Sequence, residues 1–445
     1  METLKNAKTA LAAANKNLTD FLNAFIDDKS FVETDAFICS SEGAAGDGVV
    51  SGFATVDDNA VCIFAVNGKT MKGAIGEANS KKIVRTINNA VRMGKPLIAV
   101  WDTMGARFTE GIGALEGYGS ILRAYTVAYG DVPVITVVKG NNLGISSYVA
   151  GISDFVIAYP DSVIATASPL VIAGKAGVDV KTVGSVKAVK EKGIVTQVVK
   201  NDKELRETLA KCLAVFSGGK SYGDDVNRVC KGLKAGVAAE ALISEVFDKK
   251  SFFELRMDYA PSVKTGFAAL ADVAVGVVAV TERITHDGCI KISEFLNVCE
   301  NAECPVVFLV NSEGTEQTLA DAALIREMSN LIYQVNSVGV DIFSVVYGKA
   351  IGGAYTALVA PAEYKIAWDS AEIGALESEA AARLLYADEI KSAKDKDKTA
   401  EKLAKAYGGE NCAALVIAKD GYLDNVIEPN HTRSYLIAAL LAHVE

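Results

Sequence analysis

The sequence predicts an α/β protein in which one domain is written twice, and three observations carry that prediction. The first is internal repetition: Asp28-Lys29-Ser30-Phe31-Val32-Glu33 returns as Lys249-Lys250-Ser251-Phe252-Phe253-Glu254, and Ser51-Gly52-Phe53-Ala54 as Thr265-Gly266-Phe267-Ala268. Further on, Pro96-Leu97-Ile98-Ala99-Val100 returns as Pro305-Val306-Val307-Phe308-Leu309, Gly140-Asn141-Asn142-Leu143-Gly144 as Gly348-Lys349-Ala350-Ile351-Gly352, and Pro160-Asp161-Ser162 as Trp368-Asp369-Ser370. The separation drifts only from 221 to 208 residues, as small insertions would produce. The second observation is the alternation of short apolar runs (Val61–Val66, Pro96–Trp101, Val132–Val138) with helical patterns, which marks β-α units around a buried sheet. The third is bulk: 445 residues, half of them apolar and 22% charged, exceed one core and suit two.

In chain order, residues 1–19 alternate polar and apolar side chains without a continuous apolar core, so they read as an N-terminal helix and not an export signal. Residues 20–215 form the first domain. Within it, Ser80–Met93 sets Ile83, Ile87, Ala90 and Val91 on one helical face and its lysines and arginines elsewhere, and the lysine-rich stretch 174–206 closes the copy. Residues 216–234, rich in glycine and charge, read as a linker, and 235–445 as the second domain. In that domain the charged stretch Lys391–Lys405 reads as a solvated helix.

Several function classes drop out. A net charge of −10 without a basic block excludes a nucleic-acid footprint. No window offers the ~20 uninterrupted apolar residues of a membrane span. The eight cysteines lack C-x-x-C spacing and read as reduced thiols of a cytoplasmic protein. The three histidines (His286, His431, His443) form no HxxxH or HExxH pair, so no metal site is assigned and histidine acid–base chemistry is disfavoured. Dinucleotide, P-loop and serine-elbow fingerprints are missing.

Three places set glycine directly after a buried strand: Met104-Gly105-Ala106-Arg107, Asn142-Leu143-Gly144-Ile145 and Ile351-Gly352-Gly353-Ala354-Tyr355. A strand, a glycine and then a helix leave first-turn N–H groups unpaired, where an oxyanion can accept them with help from the helix dipole. Such donors stabilise a thioester enolate or a ureido oxygen without a side-chain nucleophile. Glycine after a strand commonly marks only a tight turn. The recurrence of the second and third sites at matching places in the two copies favours anion binding.

Longer runs add a resemblance. Gly46-Asp47-Gly48-Val49-Val50-Ser51-Gly52-Phe53, Gly76-Glu77-Ala78-Asn79-Ser80-Lys81-Lys82-Ile83 and Gly105-Ala106-Arg107-Phe108-Thr109-Glu110-Gly111 resemble the acyl-CoA carboxylase β-subunit family. So do Lys349-Ala350-Ile351-Gly352-Gly353-Ala354-Tyr355, Ala367-Trp368-Asp369-Ser370-Ala371-Glu372-Ile373 and the tail from Gly421 to Pro429, with the order of motifs kept from about Leu22 onward. The resemblance implies two tandem crotonase-like (ClpP/crotonase) β-β-α spiral domains, the first binding acyl-CoA and the second carboxybiotin. It implies a carboxyltransferase moving a carboxyl group between biotin on a carrier protein and an acyl-CoA of the acetyl-, propionyl-/methylmalonyl- or glutaconyl-CoA class. The thioester hole falls on Gly144 and Ile145, with Gly105, Ala106 and Arg107 in the acyl-CoA site. The ureido hole falls on Gly353 and Ala354, with Gly314, Gly352 and Tyr355 in the biotin site. Biotin is expected on a biotin carboxyl carrier protein, since this chain has no Ala-Met-Lys-Met-type attachment motif. Biotin carboxylase or membrane decarboxylase subunits are implied as further partners, as is a homo-hexamer built as a dimer of trimers with sites shared across dimer interfaces.

The sequence also departs from the family. Ile145 follows Gly144 where consecutive glycines are usual, and a β-branched residue resists positive φ, so this hole is expected to be reshaped. A His-bearing segment expected within 174–198 is missing, and Asn311-Ser312-Glu313-Gly314 replaces a D-x-P-G-F turn. Two alternatives follow: a biotin-independent crotonase-type enzyme using Glu313, Glu377 or Glu379 as acid or base, and a non-catalytic scaffold subunit.

Overall fold

The structure, a computed structural model, describes residues 3–40, 44–217, 221–317 and 322–443; residues 218–220 of the expected linker lie outside these. It divides into two units, Met1–Ser217 and Gly218–Glu445. The N-terminal helix runs over Leu4–Asn23, capped by the Thr3 hydroxyl, and buries Leu11, Leu18, Phe21 and Leu22 within the first unit. Residues 221–234 are packed within the second unit: Arg228 donates to the Glu245 and Phe247 carbonyls (2.6 and 2.9 Å), and Cys230 is fully buried.

Each unit holds one eight-stranded sheet. The first comprises β1 (Val32–Thr34), β2 (Val49–Val56), β3 (Asn59–Val66), β4 (Leu97–Thr103), β5 (Val134–Leu143), β6 (Phe155–Ala158), β7 (Val163–Ala165) and β8 (Gln197–Val198). The second comprises β9 (Phe253–Leu255), β10 (Val263–Leu270), β11 (Val273–Val280), β12 (Val306–Ser312), β13 (Ile342–Ile351), β14 (Tyr364–Trp368), β15 (Glu372–Gly374) and β16 (Asn425–Ile427). The strand orders correspond one for one: β1-β2-β3-β4-β5-β6-β8 with β7 on β5, and β9-β10-β11-β12-β13-β14-β16 with β15 on β13. Even the registers repeat, since Val32 faces Phe53 and Phe253 faces Phe267. The duplication seen in the sequence is therefore a duplication of topology.

The repeated motifs have local causes. Both hairpins turn on two residues at positive φ, Asp57-Asp58 and Ala271-Asp272, the backbone that two-residue hairpin loops demand. None of these four is glycine. A carboxylate compensates in each copy: Asp27 accepts from the N–H groups of Asp57 and Asp58, and Asp248 from those of Ala271 and Asp272. Arg206 and Arg433 pin the two carboxylates at 2.5 and 2.6 Å. The shared glycine of the second repeat is steric, because a Cβ on Gly52 would lie 2.1 Å from the Val32 carbonyl oxygen, and one on Gly266 2.4 Å from that of Phe253.

The helix predicted from Ser80 spans Glu77–Met93 and ends on Gly94 in the left-handed region. Ile83, Ile87 and Ala90 are fully buried as their spacing requires, each isoleucine contributing about 1.5–3 kcal/mol, and Val91 is half-buried. Lys82, which the spacing sets off the apolar face, is nonetheless fully buried, donating to the Gly46 carbonyl at 3.1 Å and to that of Val49. Lys291 repeats this in the second copy, at 2.7 and 2.6 Å from the Tyr259 and Val263 carbonyls. The stretch 391–405 contributes to the helices Ala387–Ser392 and Lys396–Asn411, with its lysines exposed. Among the described residues no helix is long and apolar enough to cross a membrane.

Candidate functional site

In the first unit, β4 ends at Thr103, whose hydroxyl accepts from the Gly105 N–H at 3.0 Å. Gly105 (φ 114) then lets the chain bridge to Ile75: Ile75 N–H donates to the Gly105 carbonyl (3.0 Å) and Arg107 N–H to the Ile75 carbonyl (2.8 Å). In a parallel bridge the residue between those two bonds turns its own N–H to the other side, so the Ala106 N–H faces away from Ile75. The next strand, β5, ends at Leu143 and passes through Gly144 (φ 74) into the helical turns Gly144–Gly151. A Cβ on Gly105 would lie 3.4 Å from the Leu143 carbonyl, so the two glycine turns adjoin.

The structure thus brings Gly105, Ala106, Gly144 and Ile145 together. The expected conflict at Ile145 does not arise, because Gly144 takes the positive φ and Ile145 is not among the residues that do. Arg107 is nearly buried and committed within the unit. Its two terminal nitrogens grip the Asp47 carboxylate (3.2 and 3.1 Å), Glu110 (2.7 Å), the Ser40 hydroxyl (3.2 Å) and the Ala74 carbonyl (3.2 Å). Glu110 in turn accepts from the Glu77 N–H at 2.6 Å, tying the turn to the start of a helix.

The second unit repeats this plan. Gly314 (φ 101) donates to the Ser312 hydroxyl at 3.3 Å, and the bridge from Ile284 flanks Thr315, whose N–H faces away from it. Gly352 (φ 51) donates to the Gly374 carbonyl at 2.8 Å and opens the helix Gly353–Leu358, whose first-turn N–H groups, those of Gly353 and Ala354 included, precede any intrahelical acceptor. A Cβ on Gly314 would lie 3.3 Å from the Ile351 carbonyl, and one on Gly353 3.2 Å from Thr315 Cγ2. Gly314, Gly352, Gly353, Ala354 and Tyr355 are thereby gathered, the Tyr355 hydroxyl donating to the Tyr422 carbonyl at 3.4 Å. By topology Gly144 corresponds to Gly352, so Ile145 and Ser146 stand where Gly353 and Ala354 stand.

Sequence reasoning named Glu313 and Glu377 beside the second turn but missed the two cations that pair with them. Lys349 Nζ lies 2.8 Å from Glu313 and 3.4 Å from Glu377, and Arg283 reaches the same two carboxylates at 3.5 and 3.7 Å. The hydrogen bond from Lys349 holds the Glu313 carboxyl below its usual range. Burial works against the charge on Lys349, but Glu313 and Glu377 outweigh it and raise its pKa. Glu379 is elsewhere engaged, paired with Arg383 on an exposed helical face. A cavity of about 570 Å³ adjoins Lys349 and Glu377 and is also lined by Glu372, Ser378 and Cys412.

Residues 15–445 match the protein family described as "Carboxyl transferase domain". The chain belongs to that family. This carboxyltransferase is 30% identical over 455 residues to the "Methylmalonyl-CoA carboxyltransferase 12S subunit" of Propionibacterium freudenreichii subsp. shermanii, covering 94% of the chain and 87% of the relative. It is 28% identical over 458 residues to the "Propionyl-CoA carboxylase, carboxyltransferase subunit" of Haloferax mediterranei, covering 94% and 88%. The transcarboxylase 12S crystal structure, a hexamer assembly with methylmalonyl-coenzyme A and methylmalonic acid bound, superposes on the carboxyltransferase with a TM-score of 0.89 at 26% identity, over 100% of this chain and 96% of that one. Each half of the carboxyltransferase is the crotonase-like domain that the sequence led us to expect.

Proposed function

We propose that this carboxyltransferase moves a carboxyl group between biotin on a carrier protein and an acyl-CoA of the propionyl-/methylmalonyl-CoA class, in the cytoplasm. The observation that carries the reading is the duplicated pair of glycine turns, each with backbone N–H groups free of secondary-structure partners. Carboxyl transfer develops negative charge on two oxygens, a thioester oxygen and a ureido oxygen, and two sets of preorganised donors answer that need. The 12S relative and its structure, named for or holding methylmalonyl-CoA, support the substrate class. All eight cysteines are free thiols, seven of them buried, which supports a reducing compartment.

In this reading Gly144 and Ile145, with Ala106 beside them, donate to the thioester oxygen and stabilise the enolate. Arg107 serves acyl-CoA binding by fixing the Gly105–Ala106 turn against Asp47 and Glu110. Gly353 and Ala354 donate to the ureido oxygen, next to Gly314, Gly352 and Tyr355. Biotin supplies a ureido nitrogen to carry the carboxyl group and an oxygen to take up charge. A biotin-independent acid–base reaction is less well served, because Glu313 is held ionised by Lys349 and Glu379 is engaged with Arg383.

Ala354→Pro tests the second hole. Proline removes one donor in a helix's first turn, where it is sterically tolerated, and losing one such contact costs about 100- to 1000-fold in turnover. The expected protein is folded, binds methylmalonyl-CoA by calorimetry, and transfers its carboxyl group poorly to free biotin. Normal transfer would reduce the turn to a packing device.

A further inference from the structure

Both strand-end turns pivot on a glycine at high positive φ, Gly105 at 114° and Gly314 at 101°, a backbone with no side chain to lock it. In the first copy the turn's own arginine does the locking: Arg107, directly after Ala106, reaches across the Ile75 bridge to the Ala74 carbonyl at 3.2 Å. In the second copy the residue at that place is Glu316, and the arginine has changed sides. Arg283 occupies the position of Ala74, one residue before the Ile284 bridge, and reaches back to the turn, donating to the carbonyls of Glu313 at 2.8 Å and Thr315 at 3.4 Å. Its Nη2 is held in turn by the Glu313 and Glu377 carboxylates. One mechanical need is met twice by non-equivalent residues, which points to the turn and not to ancestry as the reason for the arginine.

From this we infer that Arg283 is the positioning residue of the second anion site, fixing the Glu313–Thr315 turn so that the Thr315 N–H is presented beside Gly353 and Ala354. The geometry gives the effect two parts. The Gly314–Thr315 peptide already has its carbonyl occupied by Ile284 N–H and the Ser312 hydroxyl, which polarises the Thr315 N–H on the other end of the same amide. The guanidinium bonded to the flanking carbonyls holds that amide's direction, while its own charge is balanced by Glu313 and Glu377. Glu377 is the outer anchor of the arrangement.

The inference rests on the carboxyl-transfer reading, and one experiment separates the two. Biotin-dependent conversion of methylmalonyl-CoA to propionyl-CoA, with the carboxyl group passing to free biotin, is measured for the parent chain, Arg283→Ala and Arg283→Lys. Arg283→Ala is expected to lower kcat by about 100-fold, the cost of a misplaced donor, while calorimetric affinity for methylmalonyl-CoA and the Tm stay near the parent's. Arg283→Lys, which can still bond a carbonyl, is expected to recover part of the loss, and millimolar methylguanidinium to recover part of it in Arg283→Ala. A parent with no biotin-dependent turnover defeats the underlying reading and this one together. A working parent matched by Arg283→Ala defeats this one alone, as does a loss in kcat accompanied by equal losses in acyl-CoA affinity and Tm.

Discussion

Lys291 takes a whole lysine side chain into the second unit with 1% exposure. Its helix, His286–Asn301, buries Cys289, Ile292 and Phe295 around it, and the ammonium ends on two carbonyls at the start of the β10 hairpin. Burial is the main cause that pulls its pKa down from 10.5 to about 8. Between those values the folded chain binds fewer protons at this site than the unfolded chain, so the stability it contributes rises with pH across the window. The advantage of the parent over Lys291→Met should therefore grow by on the order of 2 kcal/mol between about pH 7.5 and 10. Urea denaturation in a Trp101→Phe background reads it, because Trp368 is then the only tryptophan and reports on the second unit. A flat difference would refute the linkage. Neither this lysine nor Lys82 was legible in the sequence, where a lysine next to an apolar stripe reads as solvated. Only tertiary packing sets two backbone carbonyls within reach of each.

At the scale of elements, the edge strands β1 and β9 depend on one glycine each. Gly266 faces Glu254 in the register, and its missing Cβ leaves room for the Phe253 carbonyl. Gly266→Ala must displace β9, at an overpacking cost of about 1–3 kcal/mol. Hydrogen exchange should show protection lost along Phe253–Leu255 while β1 keeps its own. Unchanged protection in β9 would mean that the backbone relaxes freely there. The glycine was visible in the repeat Ser51-Gly52-Phe53-Ala54 and Thr265-Gly266-Phe267-Ala268, but its cause was not, since the clash is with a strand 13 residues away in sequence. Asp27 and Asp248 stand just before the first repeat and could have been found there. Their task, capping the N–H groups of a hairpin turn, shows only once the turn's positive φ is known.

The whole molecule is two units with one topology and different polar equipment: Ile145 and Ser146 in the first where Gly353 and Ala354 stand in the second, Arg107 bracing one turn and Arg283 the other. In the carboxyl transfer proposed above, that difference serves two unlike partners. If the chain assembles as the 12S relative does, sedimentation of the purified protein should give a hexamer, and streptavidin blotting should find no biotin on the polypeptide. A monomer at micromolar concentration, or a strong blot signal, would overturn these two expectations respectively.

The sequence by itself determined the duplication, the alternation of strands and helices, and the glycine turns at the ends of β4, β5 and β13, because repeats, hydrophobic period and glycine placement are local patterns written along the chain. Tertiary structure alone decided which of these turns adjoin. Gly105 meets Leu143, and Gly314 meets Ile351, only because parallel pairing brings the ends of β4 and β5, and of β12 and β13, side by side. It also decided that Arg107 and Arg283 are braces and that Glu313 is ion-paired, since a charge is assigned its partner by distance in space and not by spacing in sequence.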